Sequence, residues 1–166
     1  MDYSWSIWLE PSELSRNQLS DIIKKLSKKF SFPSFAPHIT LFGRVDNQYE
    51  STRLFLENIV GLYKPFILSI TGIEQGPYPW KSFYLKIKKN DSLNLLQSKI
   101  DKYLNHYRDY EFMPHISLAY GELDISETEL GNFSFPKLFY FDSISIVEMK
   151  GDTKSWEKSI SFNLGE

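Results

Sequence analysis

A chain of 166 residues with 42% hydrophobic and 16% aromatic residues carries enough apolar surface for one sizeable core, which excludes an intrinsically disordered chain. Nineteen basic residues against twenty-one acidic leave a formal charge of −2, which argues against a protein built to grip duplex DNA and suits a small nucleotide better. With no cysteine there is no disulfide, thiol nucleophile or thiolate metal site, and no run of about 18 apolar residues occurs, so the reading is a soluble cytoplasmic protein without a membrane partner.

In chain order, Tyr3 to Leu9 is rich in Trp and Ile, ends at Glu10-Pro11 and predicts a first strand. A helix capped by Ser12 follows, with Leu19, Ile22, Ile23, Leu26 and Phe30 on one stripe and Lys24, Lys25, Lys28 and Lys29 on a solvated face. The proline-bearing loop Ser31 to Pro37 delivers the chain to His38 and a strand running to about Val45. A second helix is expected around Ser51 to Leu62, and the alternation of Phe66 to Ile73 predicts a strand. Gly76-Pro77-Tyr78-Pro79 interrupts any regular element and marks a junction between two halves, about 1–75 and about 80–166.

The second half replays the first. Phe83 to Lys88 reads as a strand, and Asp91 or Ser92 caps a helix with the stripe Leu93, Leu96, Ile100, Tyr103, Leu104 and Tyr107. A loop leads to His115, Ser126 to Leu130 reads as a short helix, and Leu138 to Glu148 and Trp156 to Leu164 read as closing strands. Two strand-helix-strand units with additional strands predict a single α+β domain with two pseudo-symmetric lobes around a central cleft, and a monomer.

The clearest signal is a repeated pentapeptide. Pro37-His38-Ile39-Thr40-Leu41 returns 77 positions later as Pro114-His115-Ile116-Ser117-Leu118, using two of the chain's three histidines. On a strand, His38 with Thr40, and His115 with Ser117, share one face, while Ile39, Leu41, Ile116 and Leu118 point to the other. Each motif therefore offers an imidazole and a hydroxyl to one cavity. A neutral imidazole accepts a proton, a charged one donates it, and hydroxyls stabilise phosphate oxygens, which is what in-line displacement at phosphorus requires. A single His-x-Thr reads as an ordinary half-buried histidine; the duplication turns the balance. A zinc site on His38 and His115 lacks a third ligand at recognisable spacing, so no metal or other cofactor is expected. His106, outside the motif, reads as structural or exposed.

These residues resemble the 2H phosphoesterase superfamily, and within it the plant and yeast-type cyclic phosphodiesterases. The likeness runs from the opening strand Tyr3 to Trp8, through Phe35-Ala36-Pro37-His38-Ile39-Thr40 and Phe112-Met113-Pro114-His115-Ile116-Ser117-Leu118-Ala119-Tyr120, to Ser155-Trp156-Glu157-Lys158 and Asn163-Leu164. It implies a bilobal fold with antiparallel sheets and metal-independent opening of ribose cyclic phosphates. The implied substrates are nucleoside 2′,3′-cyclic phosphates, opened to 2′-phosphates, and ADP-ribose 1″,2″-cyclic phosphate, opened to the 1″-phosphate, with RNA 3′ ends as a further partner. The same resemblance implies His38 and His115 as the acid/base pair, Thr40 and Ser117 as phosphate donors, and Tyr120 as a substrate contact. It also implies a base-stacking aromatic early in the second half, Trp80 or alternatively Phe83. Strict alternation puts Tyr120 on the face opposite His115, so its role requires a bulge or strand end at Ala119-Tyr120-Gly121. The alternatives are a related phosphodiesterase acting on 2′-5′-linked oligonucleotides or cyclic dinucleotides, and a non-catalytic nucleotide-binding module.

Overall fold

The computed structural model describes residues 4–76, 81–126, 129 and 131–166. Among them the chain order is β1 (Ser4–Pro11), α1 (Glu13–Phe30), β2 (Ile39–Val45), α2 (Glu50–Ile59), β3 (Phe66–Gln75), β4 (Phe83–Ile87), α3 (Asp91–Leu104), β5 (His115–Ala119), β6 (Leu138–Met149) and β7 (Trp156–Asn163). Tyr3, Trp80 and the Pro77-Tyr78-Pro79 part of the expected junction lie outside the described residues, as does most of the expected helix at Ser126 to Leu130.

Helix ends differ slightly from expectation, for local reasons. Ser12 precedes α1, but its side chain makes no capping bond; its backbone N–H donates to the Tyr140 carbonyl at 2.8 Å, and the Ser15 hydroxyl accepts from the Tyr140 N–H at 2.8 Å, tying the helix start to β6. The cap of α3 is Asn90 rather than Asp91 or Ser92: its side-chain oxygen accepts from the Leu93 N–H at 2.9 Å. That helix closes at Leu104, leaving Tyr107 beyond it, and α2 closes at Ile59 before a 3-10 turn over Val60–Leu62.

All strand pairs are antiparallel, in the order β2-β1-β6-β3-β4-β5. Along one edge β6 pairs with β1; along the other it pairs first with β3 and then with β7. Each motif strand thus ends the path, β2 beside β1 and β5 beside β4, and the curl of the sheet brings these two ends together. The helices are exchanged beneath them. α1 packs against β5 and α3 against β2, with the buried Gln97 side chain donating to the Leu41 carbonyl at 3.3 Å.

Alternation along β1 divides the interior in two. Trp5, Ile7 and Leu9, all fully buried, join Leu19, Ile23 and Leu26 of α1 and Leu93, Leu96 and Ile100 of α3 in the core, whereas Ser6, Trp8 and Glu10 face the concave side. Ile146, fully buried, lies between Ile7 and Ile160 in this layer. Ile146→Ala is expected to lower stability by about 2–5 kcal/mol, read as a reduced denaturation midpoint at unchanged slope; a loss below about 0.5 kcal/mol would contradict this placement.

Candidate active site

The duplicated motif forms a duplicated geometry. His38 Nδ1 lies 2.8 Å from the carbonyl of Ala36, and His115 Nδ1 lies 2.8 Å from the carbonyl of Met113. A carbonyl oxygen only accepts, so in both rings Nδ1 carries the hydrogen and donates, and the neutral ring presents Nε2 as its acceptor. The intervening Pro37 and Pro114 explain the third element of the repeat: proline fixes its own φ and keeps the preceding residue extended, holding that carbonyl against the ring two residues on.

Both histidines line one cavity of about 220 Å³, together with Trp8, Thr40, Arg44 and Tyr120 among others. Their surroundings differ. His38 is 6% exposed and lies flat on Trp8, ring centroids 3.4 Å apart and planes 4° apart, with Trp156 edge-on to both. His115 is half-buried and meets Tyr84 edge-on at 5.3 Å. Burial lowers the pKa of His38 to about 3, against the smaller raising effect of the Ala36 carbonyl and with a further lowering by His115. His115 is also lowered, first by burial and to a lesser degree by the Lys81 ammonium, while the Met113 carbonyl opposes the shift. Both rings are therefore neutral at pH 7.

Thr40 faces this cavity because it pairs directly with Trp8 across β1 and β2. Two register shifts follow in β2, leaving Leu41 and Phe42 both fully buried and turning Gly43 and Arg44 back toward the cavity. A side chain at Gly43 would meet the Thr40 methyl at 3.2 Å. In β5 a single register shift falls between the pairs Tyr84↔Ser117 and Phe83↔Ala119. That extra residue reverses the alternation, and Gly121 with φ +118° ends the strand, so Tyr120 returns to the face of His115. Its phenol is hydrogen-bonded to the Ser117 hydroxyl, and burial pushes its pKa up to about 12, so it remains protonated and able to donate. Ser117 is 5% exposed; the group that meets the cavity at this point is Tyr120.

Other expectations fall elsewhere. Phe83 is 1% exposed and packs edge-on against Phe133 at 5.8 Å in the core, so it is not a stacking platform for a base; it lies on the buried face of β4, whose other face carries Tyr84 and Lys86. A further aromatic that lines the cavity is Trp156, in contact with Trp8, His38 and Tyr120. Its signal was the Ser155-Trp156-Glu157-Lys158 run, whose aromatic had no motif to mark it as different from the chain's other tryptophans. His106 is exposed beside Tyr107 and lies away from this cavity.

Known proteins share this architecture. A family model described as the 2′-5′ RNA ligase superfamily matches residues 10–153. The cyclic phosphodiesterase of Arabidopsis thaliana is 21% identical over 123 residues, covering 74% of this chain and 68% of the relative. The crystal structure of TT0787 from Thermus thermophilus superposes with a TM-score of 0.67 at 19% identity, covering 98% of this chain and 99% of its own. Escherichia coli LigT, solved in complex with 3′-AMP, gives a TM-score of 0.61 at 12% identity over the full length of both chains.

The lowered pKa of His38 carries a consequence for stability. The unfolded chain binds a proton near pH 6.5 that the folded chain refuses until about pH 3, so this stabilisation is complete above about 6.5 and is lost as pH falls through that window. The loss amounts to a few kcal/mol. The thermal midpoint is expected to fall from pH 6.5 to pH 4, and His38→Gln to flatten that slope; an unchanged slope in the variant would show that His38 does not titrate abnormally.

Proposed function

The chain belongs to the 2′-5′ RNA ligase superfamily, the two-histidine phosphoesterases, and we propose that it hydrolyses ribose cyclic phosphates without a metal: nucleoside 2′,3′-cyclic phosphates to 2′-phosphates, or ADP-ribose 1″,2″-cyclic phosphate to the 1″-phosphate. One observation carries this reading. Both imidazoles are held by Nδ1 in the same way, and each leaves Nε2 for one shared cavity.

In the proposed reaction one neutral Nε2 takes a proton from water as its oxygen attacks phosphorus. The bond from phosphorus to the leaving ribose oxygen breaks, and that oxygen takes a proton from the other ring, present as imidazolium. The hydroxyls of Thr40 and Tyr120, the latter bonded to Ser117, donate to the non-bridging oxygens where charge accumulates. Burial favours the uncharged form of both rings, and the phosphate anion supplies the opposite charge that lets one of them hold a proton. The pair titrates as a unit. The activity for which the Arabidopsis relative is named and the LigT complexes with 3′-AMP, ATP and NADP+ support a small nucleotide as the ligand class.

Three results are expected from steady-state kinetics with adenosine 2′,3′-cyclic phosphate. His38→Ala and His115→Ala each lower kcat/KM by about 10²–10⁴-fold, and the double variant is little worse than the worse single one. The pH profile of kcat/KM is a bell with its optimum below about pH 6.5, because the free-enzyme ionisations it reports are both lowered and the protonated acid becomes scarce as pH rises. His106→Ala, outside the cavity, retains activity. Loss of activity to EDTA with recovery only on adding a divalent metal, or near-normal turnover by either motif-histidine variant, would refute the mechanism.

A further inference from the structure

The two motifs are near-copies in sequence, yet the first continues into a feature the second lacks. At the second bulge of β2, Arg44 adopts φ +59°, a left-handed conformation that costs a non-glycine residue about 1–2 kcal/mol. Three hydrogen bonds hold it there. The Arg44 N–H donates to the Ser6 hydroxyl at 3.1 Å, and Arg108 Nη1 donates to the carbonyls of Gly43 at 3.1 Å and Arg44 at 3.3 Å. Arg108 is fixed in turn by its Nε on the Asp109 carbonyl at 3.2 Å and by the ring of Tyr110. Among the described residues its Nη2 has no acceptor, and both arginine side chains are exposed.

The pair also stands where two cavities meet. Arg44 and Arg108 line the histidine cleft, and they line a second groove of about 290 Å³ with Val45, Asp46, Asn47 and Tyr107. At about 220 Å³ the cleft falls short of the ~300–1,000 Å³ usual for a small-molecule site, so a nucleotide seated there by its cyclic phosphate extends past it. Two guanidiniums against the single carboxylate of Asp46 give the second groove a net positive charge. Guanidinium forks suit phosphate oxygens by shape and charge.

We propose that Arg44 and Arg108 form a subsite for a second phosphoryl group of the substrate, carried on the 5′ side of the nucleoside whose cyclic phosphate lies between the histidines. Resting on the reading of the cleft given above, this makes the preferred substrate class 5′-phosphorylated ribose cyclic phosphates rather than bare nucleoside ones. The strained bulge is then the structural difference that converts a symmetric pair of motifs into a site with a direction.

The test compares adenosine 2′-monophosphate with adenosine 2′,5′-bisphosphate by titration calorimetry, which needs no turnover. The full chain is expected to bind the bisphosphate about tenfold more tightly, as one charged hydrogen-bonded contact provides, with the preference shrinking at high salt. Arg44→Gly removes the guanidinium while suiting the positive φ, and Arg44→Asn is a second substitution tolerant of that conformation; both are expected to bring the ratio of the two dissociation constants to within about twofold. Equal affinities in the unmodified protein, or an undiminished ratio in both variants, would overturn the subsite. Turnover of adenosine 2′,3′-cyclic phosphate and of ADP-ribose 1″,2″-cyclic phosphate is measured in parallel. Turnover without a bisphosphate preference rejects the subsite and leaves the hydrolytic reading standing; a bisphosphate preference that Arg44→Gly abolishes, without turnover of any cyclic phosphate, supports the subsite and rejects hydrolysis.

Discussion

The site depends on one hydrogen bond made twice, from an imidazole Nδ1 to the carbonyl two residues back across a proline. It settles three matters together. It chooses the tautomer, fixes the ring plane, and at His38 satisfies a buried donor that would otherwise cost about 1–3 kcal/mol on leaving water. Everything else near the histidines is built on that placement: Trp8 can lie flat on His38 only because the ring does not rotate, and Tyr84 meets His115 by its edge for the same reason. The rest of the fold brings the two copies face to face, by putting each motif strand at one end of an antiparallel path that curls until its ends meet.

Equal local geometry does not mean equal electrostatics. His38 lies deeper, against two tryptophans, while His115 sits nearer the Lys81 ammonium. Burial dominates at both positions, so the cleft is tuned to hold neutral rings until an anion arrives. In the proposed reaction, such a site takes up its working proton together with its ligand. Tyr120 complements this by remaining protonated across the physiological range, a donor that does not compete for that proton.

Much of this architecture could be read from residue order. The helical stripes of α1 and α3, the alternation of β3 and the repeated Pro-His-Ile-Thr/Ser-Leu run carried strong periodic or repeated signals, and they led to the right elements within a few residues. What could not be read depended on single-residue insertions in pairing. One extra residue in β5 decides whether Tyr120 faces the cleft, and two in β2 decide the same for Arg44, yet a bulge leaves no mark in hydrophobic pattern. Arg108 illustrates a second limit, since it reaches the site from the loop after α3 through main-chain carbonyls, and any residue type offers those. Among 16% aromatic residues, nothing local separated Trp156 in the cleft from Phe83 in the core.

The exchange of helices beneath the motif strands has a bearing on how the protein comes apart. Because α1 supports β5 and α3 supports β2, each histidine strand is paired with a strand of its own half but packed on the helix of the other. Unravelling either helix undermines the opposite motif first, so partial opening of one half abolishes the constellation of both. The cleft is therefore a property of the whole cooperative unit, since the supports of each imidazole strand are drawn from both halves.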